Sequence, residues 1–115
     1  MDVPNPHDEQ LRRSWRLCRF GMKATADPER REKVLAWLDR MQRRFPGSPQ
    51  LARWVEIVSG QAPELTQELA LPVDFFALSP ESRACWRPLV QSQPFSCLLP
   101  GRTTRERRAV LSRLP

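Results

Sequence analysis

The chain has 115 residues, of which 40% are hydrophobic and 28% charged, and its formal net charge is +6. This length fits one domain with a modest core, and the globular composition excludes a disordered chain. No apolar run approaches the ~20 residues that cross a bilayer, and the first residues lack a signal-peptide pattern. We therefore expect a cytoplasmic protein with reduced thiols.

Four prolines mark predicted helix starts. Pro28, Pro49, Pro63 and Pro80 stand in the tripeptides DPE, SPQ, APE and SPE. The residue before each proline can cap a helix, proline suits the first turn because its missing N–H costs nothing there, and an acid favours the positive end of the helix dipole. The pattern predicts an all-α fold, a single compact domain of about five or six short, proline-initiated helices.

Residues 1–7 are expected to form a flexible lead-in to a single helical domain over 8–115. A first helix is predicted over 8–22, where apolar residues recur at steps of four, three and four and lie on one face: Leu11, Trp15, Cys18 and Met22. Basic residues follow the same steps one position later: Arg12, Arg16, Arg19 and Lys23. This helix should therefore carry a basic stripe beside its apolar stripe.

The second and third helices are predicted over 28–45 and 49–59, separated by a turn at Pro46 and Gly47. They should form a central hairpin whose core contains Trp37, Leu38, Met41, Phe45, Trp54 and Val55. A DNA-reading helix-turn-helix is the alternative. It is disfavoured because the exposed face of the third helix offers one arginine, Arg53, beside Glu56, which phosphates would repel.

A short fourth helix is predicted over 63–70, and it runs into an apolar stretch over 69–78 that Pro72 must break. We expect Phe75 or Phe76 to anchor this stretch in the core. The alternative is an exposed patch in which Phe75 and Phe76 dock a partner.

A further helix should begin at Ser79 and Pro80 and reach Trp86, with Pro88 ending or kinking it. Residues 88–100 are expected to be irregular, with Phe95, Leu98 and Leu99 in the core. A capping-box pattern, TTRE, predicts a last helix over 103–114, from which Arg105 and Arg108 point away.

No motif in the sequence carries identifiable chemistry. The single histidine, His7, has no cysteine partner at a catalytic spacing, and Cys18, Cys85 and Cys97 have no metal-binding spacing. Cys18 and Cys85 are expected to be buried, and Cys97 to be the most accessible thiol. We therefore expect neither a metal site, nor a cofactor, nor an enzyme.

Charge is unevenly distributed: residues 1–55 carry a net +5, residues 56–99 a net −3 and residues 100–115 a net +4. The expected function is that of a small non-enzymatic regulatory or adaptor protein that binds another macromolecule, an acidic protein partner above all. The alternative is a basic helical nucleic-acid-binding protein with phosphate-dominated contacts. A homodimer is open, and no membrane partner is expected. The candidate contacts for a polyanion or acidic partner are Arg12, Arg16, Arg19, Lys23, Arg40, Arg44, Arg105 and Arg108.

Overall fold

The computed structural model describes residues 5–71 and 74–99, together with residues 105, 106 and 109. Its five α-helices in this part of the chain are α1 Pro6–Ala24, α2 Pro28–Arg44, α3 Pro49–Val58, α4 Pro63–Ala70 and α5 Pro80–Gln91. Two 3₁₀ segments, Phe75–Ala77 and Phe95–Leu98, precede and follow α5. The described residues contain no strand, and the predicted all-α class is confirmed.

The local chemistry at the helix starts is the chemistry that the sequence predicts. The side chains of Asp27, Ser48 and Ser79 each accept a hydrogen bond from the backbone N–H three residues later. Ala62 has no side chain that can do so, and α4 begins without a side-chain cap. All four predicted starts are therefore confirmed.

A fifth proline-initiated helix begins at Pro6, two residues before the predicted start. The Asn5 side chain caps it by accepting a hydrogen bond from the His7 backbone N–H at 3.0 Å. The proline pattern of the other helix starts did not identify this one, because Pro6 is followed by His7 and not by an acid or amide. Residues 1–4 of the predicted lead-in lie outside the described residues.

Pro88 neither ends α5 nor stops its hydrogen bonding, since the helix continues to Gln91. Pro88 and Ala84, whose carbonyl loses its helical donor, are both exposed, so the missing bond falls on the solvent side. The last turn is held by Ser92, whose hydroxyl donates to the Pro88 carbonyl at 2.9 Å. The prediction that the helix ends near Trp86 was wrong by about one turn.

Five aromatic side chains fill the centre of the molecule. Trp15 of α1, Trp54 of α3 and Trp86 of α5 are at most 1% exposed, and Phe75 and Phe95 are fully buried. The ring centroids of Trp86 lie 5.3 Å from Trp15 and 6.1 Å from Trp54. Trp15 meets Phe75, and Trp54 meets Phe95, in edge-to-face contacts at 5.8 and 5.2 Å. This aromatic cluster joins three helices and both 3₁₀ segments.

Two buried indole N–H groups in the aromatic cluster find acceptors on neighbouring elements. Trp54 donates to the Leu89 carbonyl at 2.8 Å, close to the C-terminus of α5. Trp86 donates to the Glu68 carboxylate at 2.5 Å, and the Ser82 hydroxyl donates to the other oxygen of Glu68 at 2.8 Å. The bonds fix α3 and α4 against α5, because leaving a buried donor unpaired costs about 1–3 kcal/mol.

Helices α2 and α3 pack against each other as the predicted hairpin, and the prediction was wrong in placing Phe45 in its core. Leu38 and Trp54 are fully buried as expected. Trp37, Met41 and Val55 are half-buried and pack against the core. Phe45 is 50% exposed. Phe45 is the C-cap residue of α2 with φ −125° and ψ 68°, so the helical periodicity that predicts its burial does not extend to it.

The last predicted helix, over 103–114, lies almost wholly outside the described residues. Arg105 and Glu106 are helical and exposed, while Arg108 is among the residues not described. Farther back, Phe95 and Leu99 are buried and Leu98 is half-buried, as the sequence predicts.

The closest packing in the core gives a test of the fold. A Cβ on Gly21 of α1 would lie 2.2 Å from the Phe95 ring. We expect Gly21→Ala to destabilise the protein by about 3 kcal/mol, because overpacking outweighs the ~1 kcal/mol that alanine gains over glycine in a helix. Urea unfolding measures this difference. A Gly21→Ala variant more stable than the wild type would contradict the packing of Phe95 on α1.

Candidate functional site

An open groove lies where the second half of α2 meets the start of α3 and the end of α5. It encloses about 390 Å³. We call it the docking groove. Its lining residues are Trp37, Met41, Phe45, Ser48, Leu51, Gln91, Ser92 and Gln93. Phe45 and Leu71 are the two large hydrophobic side chains exposed in the described part of the chain, and Phe45 lies in this groove.

The apolar wall of the docking groove is one stripe of α2. Trp37, Met41 and Phe45 are spaced four residues apart and therefore line one side of the helix. The neighbouring side carries Val34 and Leu38, which are fully buried. Helix α2 thus has a wide apolar arc: the fold buries Val34 and Leu38 fully and Trp37 and Met41 partly, and it leaves Phe45 exposed at the end of the helix.

Two arginines stand beside this stripe. Arg40 and Arg44 lie three residues after Trp37 and Met41, and side chains at this spacing are surface neighbours. The Arg44 guanidinium lies 5.6 Å from the centroid of the Phe45 ring. Both arginines are exposed, and neither forms an ion pair within the described residues. We call Arg40 and Arg44 the basic rim.

The charge of the basic rim is uncompensated nearby. Arg43, which faces away, pairs instead with Asp39 at 3.1 Å. The lining of the docking groove contains no acidic side chain among the described residues. The apolar stripe is therefore bordered by positive charge alone, unlike the mixed-charge opposite face of α2, which includes Glu32 and Asp39.

The polar side of the docking groove is largely engaged in the fold. The Ser92 hydroxyl donates to the Pro88 carbonyl at 2.9 Å. The Gln93 amide donates to Ser96 at 2.8 Å and accepts from the Phe95 backbone N–H at 2.7 Å. Within the described residues, the Gln91 side chain and the Trp37 indole N–H make no hydrogen bond and can engage a ligand.

The predicted basic stripe of α1 is partly neutralised. Arg12, Arg13 and Arg16 all approach the carboxylate of Glu9, with closest contacts of 3.6–3.9 Å. Arg12 also donates to Asp74 at 3.2 Å. The stripe thus holds fewer free positive charges than its sequence indicates.

The remaining predicted basic residues do not extend the basic rim. Arg19 is half-buried, and its Nε is buried with no hydrogen-bond partner. Lys23 is exposed in the last turn of α1, and Arg105 is exposed. Of the predicted contacts, the structure brings Arg40 and Arg44 together on α2, and Arg12 and Arg16 together around Glu9.

The predicted apolar contacts lie largely in the interior. Phe75 is fully buried against Trp15, so its ring contributes nothing to the surface. Phe76 is half-buried, and the Arg12 guanidinium covers its ring at 4.8 Å from the centroid. Residues 74–78 therefore anchor to the core, which is the first of the two predictions made for the apolar stretch over 69–78. The apolar stripe that reaches the surface lies on α2.

Sequence reasoning missed the exposed end of this stripe because it assigned Phe45 to the core together with Trp37 and Met41. A signal was present in the sequence. The apolar residues of the second helix, from Val34 to Phe45, cover too wide an arc for one short partner helix to bury. A second signal is Pro46, because the residue before a proline disfavours the helical conformation, and Phe45 caps α2 with φ −125° and ψ 68°.

The cysteine assignments are corrected in part. Cys18 is fully buried as expected, and burial raises the pKa of its thiol. Cys85 is exposed because it falls on the solvent side of α5, whereas Cys97 is half-buried and its thiol lies 3.2 Å from the Pro94 carbonyl. The prediction that Cys97 is the most accessible thiol was wrong.

The structure reveals no cluster of three potential metal ligands among the described residues. In the same part of the chain, no helix has the length and apolar character required to span a membrane. Comparisons with protein-family models, curated proteins and solved structures find no match. The docking groove and its basic rim are thus the features from which a function can be argued.

The exposure of Phe45 can be tested by its contribution to stability. We expect Phe45→Ala to lower the free energy of unfolding by about 1 kcal/mol, whereas Leu38→Ala, at a buried position on the same helix, should cost about 3 kcal/mol. Urea unfolding of both variants gives the comparison. Equal losses would mean that Phe45 belongs to the core.

Thiol labelling tests the corrected order of accessibility. With a chromogenic disulfide reagent at neutral pH, Cys85 should react first, Cys97 more slowly and Cys18 only after unfolding, because the buried thiol neither ionises nor meets the reagent. The Cys85→Ser variant should lose the fast phase. Retention of that phase would contradict the orientation of α5.

Proposed function

We propose that this protein is a non-enzymatic adaptor or regulator that binds an acidic protein partner through the docking groove and the basic rim. The observation that carries the proposal is a groove walled by the exposed Phe45 and the half-buried Trp37 and Met41, beside two arginines without ion-pair partners in the described residues. Apolar and aromatic groups supply affinity at protein interfaces, and charged groups supply orientation and association rate.

The energetics favour a partner that brings both apolar and acidic groups. Covering apolar surface contributes about 25 cal/mol per Å², so the half-exposed Phe45 and the accessible part of Trp37 can stabilise a complex. A carboxylate placed on Arg44 would meet a guanidinium already held over Phe45. Arginine binds carboxylates in a bidentate geometry, which would orient the partner in the docking groove.

Non-enzymatic binding is supported by the groove's chemistry. Its lining consists of apolar, amide and hydroxyl side chains, and the described residues place no titratable group among them. Ser92 and Gln93 are engaged in hydrogen bonds that maintain the fold. The docking groove thus offers a surface suited to contact and recognition.

Nucleic acid is the alternative partner, and its support is the net charge of +6. Phosphate-dominated binding needs several free cations along one surface. On α1, Glu9 already lies between Arg12, Arg13 and Arg16, and Asp74 pairs with Arg12. Phosphate groups also gain no favourable contact from an apolar stripe. The acidic-protein proposal accounts for both halves of the docking groove, and the alternative accounts for the charge alone.

Selection from a displayed library of random peptides, counter-selected on the variant Arg40→Glu/Arg44→Glu, tests the proposal. We expect the enriched peptides to be acidic and to contain large apolar residues. They should bind that variant at least about tenfold more weakly, a loss of ~1.4 kcal/mol. The matched control is Arg30→Glu/Arg31→Glu, which changes the net charge equally at two exposed positions of α2.

An enriched pool without excess acidic residues, or one that both charge reversals weaken equally, would contradict the proposal. Labelled duplex DNA serves as the competing probe. If DNA binds at about 150 mM salt and both charge reversals weaken it equally, the alternative of a nucleic-acid-binding protein replaces the proposal.

A further inference from the structure

We propose that the segment bound in the docking groove is an acidic amphipathic α-helix. This inference rests on the proposed function and adds the conformation and side-chain spacing of the partner. It is argued from three properties of the docking groove: its length, its supply of hydrogen bonds and the placement of its charges.

The apolar stripe has the length of a short helix. Trp37 and Phe45 are eight residues apart on α2, which at 1.5 Å per residue is about 12 Å. A partner helix lying along this stripe would contact it over about two turns. Apolar residues at spacings of three or four along that helix would then meet Trp37, Met41 and Phe45 in turn.

The hydrogen-bonding capacity of the docking groove favours a helix over an extended segment. A segment that leaves water must pair its backbone N–H and C=O groups or lose several kcal/mol. The lining comes from helices and from the residues that cap or follow them, and no strand edge exists in the described part of the chain. Ser92 and Gln93 are already engaged, which leaves Gln91 and the Trp37 indole. An α-helix pairs its backbone N–H and C=O groups internally, so the Gln91 side chain and the Trp37 indole are sufficient hydrogen-bonding groups for it.

The basic rim specifies where the partner's acids lie. Arg40 and Arg44 are one helical turn apart, about 6 Å along α2. Two carboxylates three or four residues apart on the partner helix match this separation. The partner therefore has an apolar stripe with a pair of Asp or Glu residues along one edge.

Charge also selects among the other possible occupants. The segment 100–115 of this chain is predicted to be amphipathic, but it carries a net +4 and would set arginines against the basic rim. A second copy meeting the same groove would bring two basic rims together. An acidic helix from another protein avoids both repulsions.

Three synthetic peptides of about 16 residues, a length at which an isolated helix is marginal, test the inference. The first has Leu at two positions four apart and a Glu pair on the adjacent edge, in an alanine-rich background. In the second, both Glu are replaced by Gln. The third has one central alanine replaced by proline. Fluorescence anisotropy with a terminal label measures the binding of each.

We expect the first peptide to bind with a micromolar dissociation constant, and both other peptides to bind at least about tenfold more weakly. Phe45→Ala and Arg40→Glu/Arg44→Glu should each weaken the first peptide to a similar degree. Arg30→Glu/Arg31→Glu should change its affinity less than about threefold, since neither residue lines the docking groove. Circular dichroism should show that the first peptide gains helix on binding.

The outcomes separate this inference from the function on which it rests. If the first and third peptides bind equally, and Arg40→Glu/Arg44→Glu weakens both, the partner is acidic but not helical and the inference fails alone. The inference also fails alone if only non-helical acidic peptides emerge from the displayed library. If neither the synthetic nor the displayed acidic peptides bind, the proposed function fails. Sedimentation as a dimer that Phe45→Ala dissociates would assign the docking groove to a second copy.

Discussion

The fold depends on burying three tryptophans at one point while satisfying the indole N–H groups of Trp54 and Trp86. Trp54 and Trp86 each donate to an acceptor on another helix, the Leu89 carbonyl and the Glu68 carboxylate. Trp15 packs edge-to-face on Trp86 at 5.3 Å. Rings of this size fit together in few arrangements, and an unpaired buried donor is costly, so the aromatic cluster sets the relative positions of α1, α3, α4 and α5.

Helix α2 packs outside the aromatic cluster, and this position is the origin of the docking groove. Its fully buried side chains, Val34 and Leu38, hold it to the rest of the fold, while its own tryptophan, Trp37, is half-buried at the surface. The turn after α2 places Phe45 at 50% exposure beneath Arg44. The same helix therefore contributes to stability on one side and presents an apolar, basic surface on the other.

The sequence predicted the features that local chemistry determines. Proline starts and polar caps act within four residues, and the starts at Pro28, Pro49, Pro63 and Pro80 are confirmed. Exposure is not local in this sense. Whether Phe45 is buried depends on how the chain turns after α2 and on which elements pack beside that turn, and periodicity within α2 contains neither. The positive charge of the basic rim could be predicted from the sequence. The ion pair between Arg12 and the distant Asp74, which leaves fewer free positive charges on α1, required the three-dimensional structure.

The four tryptophans offer the most direct measurement, because each contributes one indole N–H signal to a ¹H–¹⁵N spectrum. Addition of an acidic amphipathic peptide should shift the Trp37 indole signal, since Trp37 lines the docking groove and its N–H makes no hydrogen bond within the described residues. The Trp54 and Trp86 indoles, bonded within the core, should stay in place. An unmoved Trp37 signal, with shifts concentrated around Arg12 and Arg16 of α1, would contradict the assignment of the docking groove as the binding site.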